Sequence, residues 1–161
     1  MNSPSPVRIL TVCLGNICRS PAAAAALKEA AHRRGVAVQV ESAGTADWHV
    51  GQPPHAPMIA AGRSAGLDIG GRGRQVSLDD LEDFDLILAM DWSNHHHLKS
   101  LAAGSAATSK IHLMRSFDHS DEAMEVPDPW GGPDSEYEAT IVTVRRAAKA
   151  IIEAIESGRL P

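Results

Sequence analysis

The sequence predicts an α/β fold: a four-stranded parallel sheet, doubly wound with helices on both faces. Three observations carry this. Aliphatic and β-branched runs recur at residues 7–12, 36–41, 85–90 and 110–114, and near-continuous apolar runs mark strands buried on both faces. Segments of helical character separate the runs, leaving room for crossover connections. The last stretch, residues 136–157, sets Ile141, Val144, Ala148, Ile151, Ile152 and Ile155 at helical spacing, an apolar stripe suited to a core.

Each element has a local reason. Residues 7–12 (VRILTV) form the first strand and end abruptly at Cys13. A helix then runs over about 21–34, where Ala22 to Ala26 and Leu27 supply propensity, Ser20 is placed to cap it and Pro21 suits its first turn. His32, Arg33 and Arg34 suit its negative end and Gly35 stops it. The second strand covers 36–41, and Ser42-Ala43-Gly44-Thr45 turns away from it. Residues 46–56 form a Pro/Gly-rich loop carrying Trp48, followed by a short helix over 57–65 that Gly66 ends.

Gly70-Gly71-Arg72-Gly73-Arg74 follows no strand and lacks dinucleotide-binding spacing, so it reads as a flexible turn. Ser77, with Asp80 three residues on, starts a capped helix. Residues 85–90 make the third strand, and Asp91 caps a helix over about 92–103. Within that helix, His95-His96-His97 point about a third of a turn apart and cannot share one metal comfortably, so they read as a solvated face. The fourth strand, 110–114, precedes a long loop, 115–135, of the length functional loops often have. The layout is Rossmann-like, or flavodoxin-like, and ligands of such sheets bind beyond the carboxyl ends of the strands, where Cys13 falls.

Composition narrows the class. The chain has 161 residues, enough for a full-sized core in one domain over residues 7–161 behind a short polar tail at 1–6. A net charge of −5 argues against broad nucleic-acid or membrane binding. No signal peptide and no membrane-length apolar run is legible, and two cysteines five apart fit functional thiols in a cytoplasmic protein.

The chemistry centres on Cys13-Leu14-Gly15-Asn16-Ile17-Cys18-Arg19-Ser20-Pro21. Strand, tight loop and helix start converge backbone N–H groups on one point, a ready anion site. The same field and Arg19 favour a thiolate at Cys13. A thiolate beside an oxyanion cradle and a planar guanidinium is what phosphoryl transfer to sulfur requires. The Cys-x5-Arg pair alone fits a buried strand-end cysteine and a surface arginine equally well; the strand–loop–helix context supports the anion site.

This loop resembles that of the low-molecular-weight protein tyrosine phosphatases, Cys-x-Gly-Asn-x-Cys-Arg-Ser-Pro, at every fixed position. The resemblance extends through Ser42-Ala43-Gly44-Thr45, Arg74-Gln75-Val76, Ile87-Leu88-Ala89-Met90-Asp91 and the Asp128-Pro129-aromatic loop. It implies hydrolysis of phosphotyrosine in proteins through a cysteinyl-phosphate. Cys13 is then the nucleophile, and Arg19 with the N–H groups of Leu14, Gly15, Asn16, Ile17, Cys18 and Arg19 holds the phosphate. Asp128, stiffened between Pro127 and Pro129, is the implied general acid and base. Asn16 would organise the loop, Ser20 would steady the thiolate, and Trp48 and Trp130 would wall the cleft over Ile17. Phosphate- or vanadate-like anions are implied ligands; no cofactor or metal is.

Cys18 reads equally as a resolving thiol for an oxidised Cys13 and as loop packing. Departures from the family pattern are Ala22-Ala23-Ala24 after Pro21, Trp130 where tyrosines are common, and no histidine near Gly71 to support the loop. Three rivals share parts of this pattern. An arsenate reductase needs a later cysteine pair, a protein-arginine phosphatase typically has threonine in place of Ile17, and a non-catalytic phospho-residue binding module would have lost Cys13, Arg19 or Asp128.

Overall fold

A computed structural model describes residues 5–161; most of the expected polar tail, residues 1–4, lies outside the described residues. Four parallel strands, β1 (Val7–Cys13), β2 (Val38–Gly44), β3 (Leu86–Ala89) and β4 (Ile111–Leu113), form one sheet in the order β2-β1-β3-β4. The order reverses direction at β1, so a crevice opens beyond its carboxyl end.

Strand alternation divides the core. Ile9, Leu86 and Leu88 face the helices α1 (Arg19–Arg34), α2 (Ala56–Ser64) and α5 (Asp134–Glu156). Leu10, Val12, Ile87 and Ala89 face α3 (Leu78–Asp83) and α4 (Trp92–Leu101). The α5 stripe is core as expected: Ile141, Val144, Ile151 and Ile152 are buried, each such side chain contributing about 1.5–3 kcal/mol of transfer free energy. Among the described residues no helix is long and apolar enough to cross a membrane.

Local chemistry sets most boundaries. Gly35 adopts φ 66°, a left-handed position, and its N–H closes α1 onto Ala31 and His32. Ser77 and Asp80 form a capping box at α3, and Asp91 and Asn94 form another at α4. His96 and His97 are exposed on α4, in keeping with a solvated face.

Several expectations are corrected. Ser42, Ala43 and Gly44 belong to β2, because they pair with Thr11, Val12 and Cys13 of β1. The helix α1 starts at Arg19, with Cys18 in the capping position and no side-chain cap; Ser20 lies inside the first turn. Residues 70–74 are not a free turn. Gly73 exchanges backbone bonds with Gly51 and Gln52 (2.8 Å each), and a Cβ on it would run into the His49 carbonyl oxygen.

Candidate active site

The end of β1 delivers Cys13 to the bottom of a cleft of about 260 Å³. The loop from Leu14 to Cys18 curls around its sulfur. Asn16 donates its backbone N–H to the sulfur at 3.3 Å, and the Ser20 hydroxyl lies 3.0 Å away. Among the described residues, the backbone N–H groups of Leu14, Gly15, Ile17 and Cys18 meet no protein acceptor. They form a concavity of donors at the start of a sixteen-residue helix, whose dipole adds to their field.

Asn16 makes that curl possible. It is the one non-glycine among the described residues with positive φ, 58°, a conformation asparagine tolerates better than most residues. Its buried amide donates to the Ser20 and Ser42 hydroxyls at 2.8 and 2.9 Å and accepts the Arg74 N–H at 3.0 Å. The backbone of Arg74 thus braces the loop through Asn16.

Arg19 is buried, yet only part of its guanidinium is committed. One nitrogen, Nη1, donates to Asp91 at 2.7 Å and to the Val126 carbonyl at 3.0 Å. Nη2 lies 3.9 Å from the Asp128 carboxylate across the cleft. Asp91 thus does two jobs: one oxygen caps α4 through Asn94 and the other orients Arg19. The sequence marks Asp91 only as a cap. Its place at the carboxyl end of a central strand is the signal that points to the cleft.

Asp128 stands half-exposed at the cleft mouth and accepts the Trp130 N–H at 3.2 Å. Trp48 and Trp130, both largely exposed, line the cleft together with Ile17 and His49. Every residue expected at the site is brought to this cleft or bonded to its loop. His49 and His55 were not singled out from sequence. His49 bonds Gln52 at 2.8 Å, while His55 packs its ring 4.4 Å from that of Trp130 and donates its backbone N–H to the Ile17 carbonyl at 2.8 Å. The His49 bond is local, three residues along the chain, whereas the His55 partners lie far from it in sequence.

Burial, then the neighbouring Cys13 sulfur and Asp128, push the Cys18 thiol up to about 12, so Cys18 stays protonated at neutral pH. Burial also raises the Tyr137 phenol beneath it.

Comparison with known proteins places this geometry. Residues 8–159 match the family described as low molecular weight phosphotyrosine protein phosphatase. The low molecular weight protein-tyrosine-phosphatase YfkJ of Bacillus subtilis is 41% identical over 127 residues, 77% of this chain and 81% of the relative. The pig (Sus scrofa) low molecular weight phosphotyrosine protein phosphatase is 33% identical over 91% of this chain and 94% of its own length. A crystal structure of protein tyrosine phosphatase from Entamoeba histolytica superposes with a TM-score of 0.92 at 34% identity, covering 96% of this chain and 99% of the other. The match runs from β1 through α5 and takes in the whole sheet with every helix packed on it: the chain belongs to the low molecular weight phosphotyrosine protein phosphatase family.

Proposed function

We propose that this chain hydrolyses phosphotyrosine in proteins with Cys13 as nucleophile. The observation that supports it most is the convergence of the Cys13 sulfur, the unmatched loop N–H groups, the free edge of Arg19 and Asp128 in one cleft walled by Trp48 and Trp130. The Cys13 thiolate attacks phosphorus in line and the bond to the phenolic oxygen breaks. Arg19 and the loop N–H groups hold the equatorial oxygens. Asp128 protonates the departing phenolate, then takes a proton from the water that splits the cysteinyl-phosphate. The Ser20 hydroxyl, 3.0 Å from the sulfur, donates to the thiolate when it leaves in the second step.

The substrate class follows from depth and lining. Phosphotyrosine carries its phosphorus roughly 6 Å beyond the side-chain root, by summed bond lengths, so it reaches a nucleophile at the foot of a cleft that phosphoserine does not. Apolar walls reward its ring, whereas Ile17 offers no polar partner to a phosphorylated guanidinium. The same reading places the enzyme in the cytoplasm, where Cys13 and Cys18 stay reduced.

Turnover of phosphotyrosine, phosphoserine and phosphoarginine peptides, with vanadate as competitor, tests the assignment. Phosphotyrosine should be strongly preferred, and Cys13→Ser should lose several orders of magnitude in turnover while still binding phosphate. Near-normal turnover by Cys13→Ser would sink the mechanism, and faster cleavage of phosphoarginine would move the substrate class.

A further inference from the structure

We propose that Glu125 is a positioning residue that latches the Asp128 segment onto the start of α4, and so sets both the acid and the arginine. This rests on the assignment of Asp128 and Arg19 above.

The segment crosses from a 3-10 turn, Met114–Phe117, to α5 without a helix or strand of its own. Buried Arg115 braces its first half, donating to the Asp121 carboxylate and to the Glu125 carbonyl at 2.8 Å each. Val126 is held through both backbone groups: its N–H donates to Met90 at 2.7 Å and its carbonyl accepts from Arg19 at 3.0 Å. Between these anchors the Glu125 carboxylate reaches sideways and accepts the Trp92 N–H at 3.0 Å. Beyond Val126, Trp130 bonds Asp128 and Gly132 bonds Pro129 inside the segment, and the next tie to the body of the protein is the Gly131 backbone at Tyr137 of α5, past the acid. Glu125 is therefore the last side chain bonded to the body of the protein before the acid.

Its partner explains why a carboxylate suits the place. Trp92 is the first residue of α4, so its N–H has no acceptor within the helix and lies at the positive end of the dipole. Asp91, on the same terminus, holds Arg19. One helix start thus carries two carboxylates, one fixing the phosphate clamp directly and the other fixing the backbone on which the clamp's second acceptor and the acid ride. A displaced residue 125 moves the Val126 carbonyl, and with it Arg19, and frees Asp128 three residues on. Misplacement of reacting groups by about 1 Å costs up to 100-fold in rate.

The test compares kcat/KM for a phosphotyrosine peptide with kcat/KM for p-nitrophenyl phosphate, whose leaving group needs little protonation, together with inhibition by inorganic phosphate. Glu125→Ala should lose about 10-fold on the peptide and about threefold on the nitrophenyl ester, with weaker phosphate inhibition. Glu125→Gln keeps an acceptor oxygen and should stay within about twofold of wild type. A second pair acts on the backbone. Trp92→Pro removes the N–H, yet proline is accepted at a first helical position and Asp91 already has the extended φ −144°, ψ 173° that proline requires before it. It should match Glu125→Ala, whereas Trp92→Ala should keep the wild-type substrate ratio. Wild-type ratio and phosphate inhibition in folded Glu125→Ala overturn the latch; should Trp92→Pro not fold, the Glu125 pair decides alone. Asp128→Asn run alongside separates the levels: if it too leaves the ratio unchanged, the acid assignment fails and not the latch.

Discussion

Replacing Asn16 tests the loop's construction most directly. Its side chain makes three buried hydrogen bonds, to Ser20, Ser42 and Arg74, each with a net value of about 1 kcal/mol. Its φ of 58° adds a second contribution, because left-handed backbone costs an ordinary L-residue roughly 1–2 kcal/mol. Asn16→Ala should therefore destabilise by about 4–5 kcal/mol, the sum of both. Asn16→Gly loses the same bonds without the strain but gains freedom in the unfolded chain, which takes back about 0.4–1 kcal/mol. Glycine should come out more stable than alanine by about 0.8 kcal/mol, the difference between the mid-range values. Urea unfolding followed by far-UV dichroism gives both differences, and inhibition by inorganic phosphate reports the loop, with both variants about 10-fold weaker for loss of converging donors. Alanine and glycine equal within error, or a total loss below 1 kcal/mol, would refute the view that Asn16 holds a strained curl in place.

Iodoacetamide at pH 7 should label Cys13 and leave Cys18 untouched, with phosphate protecting Cys13; peptide mass spectrometry reads this, and labelling of Cys18 at a similar rate contradicts a thiol held near 12. Peroxide followed by a thiol reductant should restore wild type and not Cys18→Ser, and equal recovery removes a guard role for Cys18. Burial alone would raise the Asp80 carboxyl, but Arg74 and Ser77 outweigh it and hold it below the usual range. Its contribution, on the order of 1 kcal/mol, is then fully present above the unfolded value of about 4 and lost as pH falls through the folded one. Urea midpoints of wild type and Asp80→Asn should differ at pH 7 and converge below about pH 4; a gap independent of pH speaks against the pairing. Gly73→Ala drives a Cβ into the His49 carbonyl and should raise KM for aryl phosphates more than the inhibition constant for inorganic phosphate, with equal changes counting against a clip that holds the Trp48 wall.

What could be read from sequence follows from the range of the forces involved. The Cys13–Pro21 loop was legible because strand, curl and helix start are all local. The flanking prolines mark Asp128 as stiffened, but only the family resemblance of its loop marks it as the acid. The extent of β2 was not legible: Ser42, Ala43 and Gly44 have little strand preference, and they are strand only because Thr11, Val12 and Cys13 lie beside them. Gly73 looked like a flexible turn because its partner, the chain around His49, comes from elsewhere in the sequence. Arg19 and Asp91 are 72 residues apart, so their pairing belongs to the sheet order and to no motif. Ser20 misled for the opposite reason, since a serine before a proline is a good local cap; here its hydroxyl is taken by the sulfur and by Asn16.

The helix that faces the cleft, α1, begins without a side-chain cap and with no acidic residue in its first turn, as α2 also does, while α3 and α4 each close theirs with a capping box. An oxyanion seated in the loop completes what the sequence leaves open, so the substrate lends the fold its missing capping group. Occupancy and stability then become a single equilibrium: an anion at 100 times its dissociation constant adds about 2.7 kcal/mol to folding. The empty enzyme is the less settled form, and each turnover ends with the ordering group still in place. Inorganic phosphate is thereby product, inhibitor and folding ligand at once.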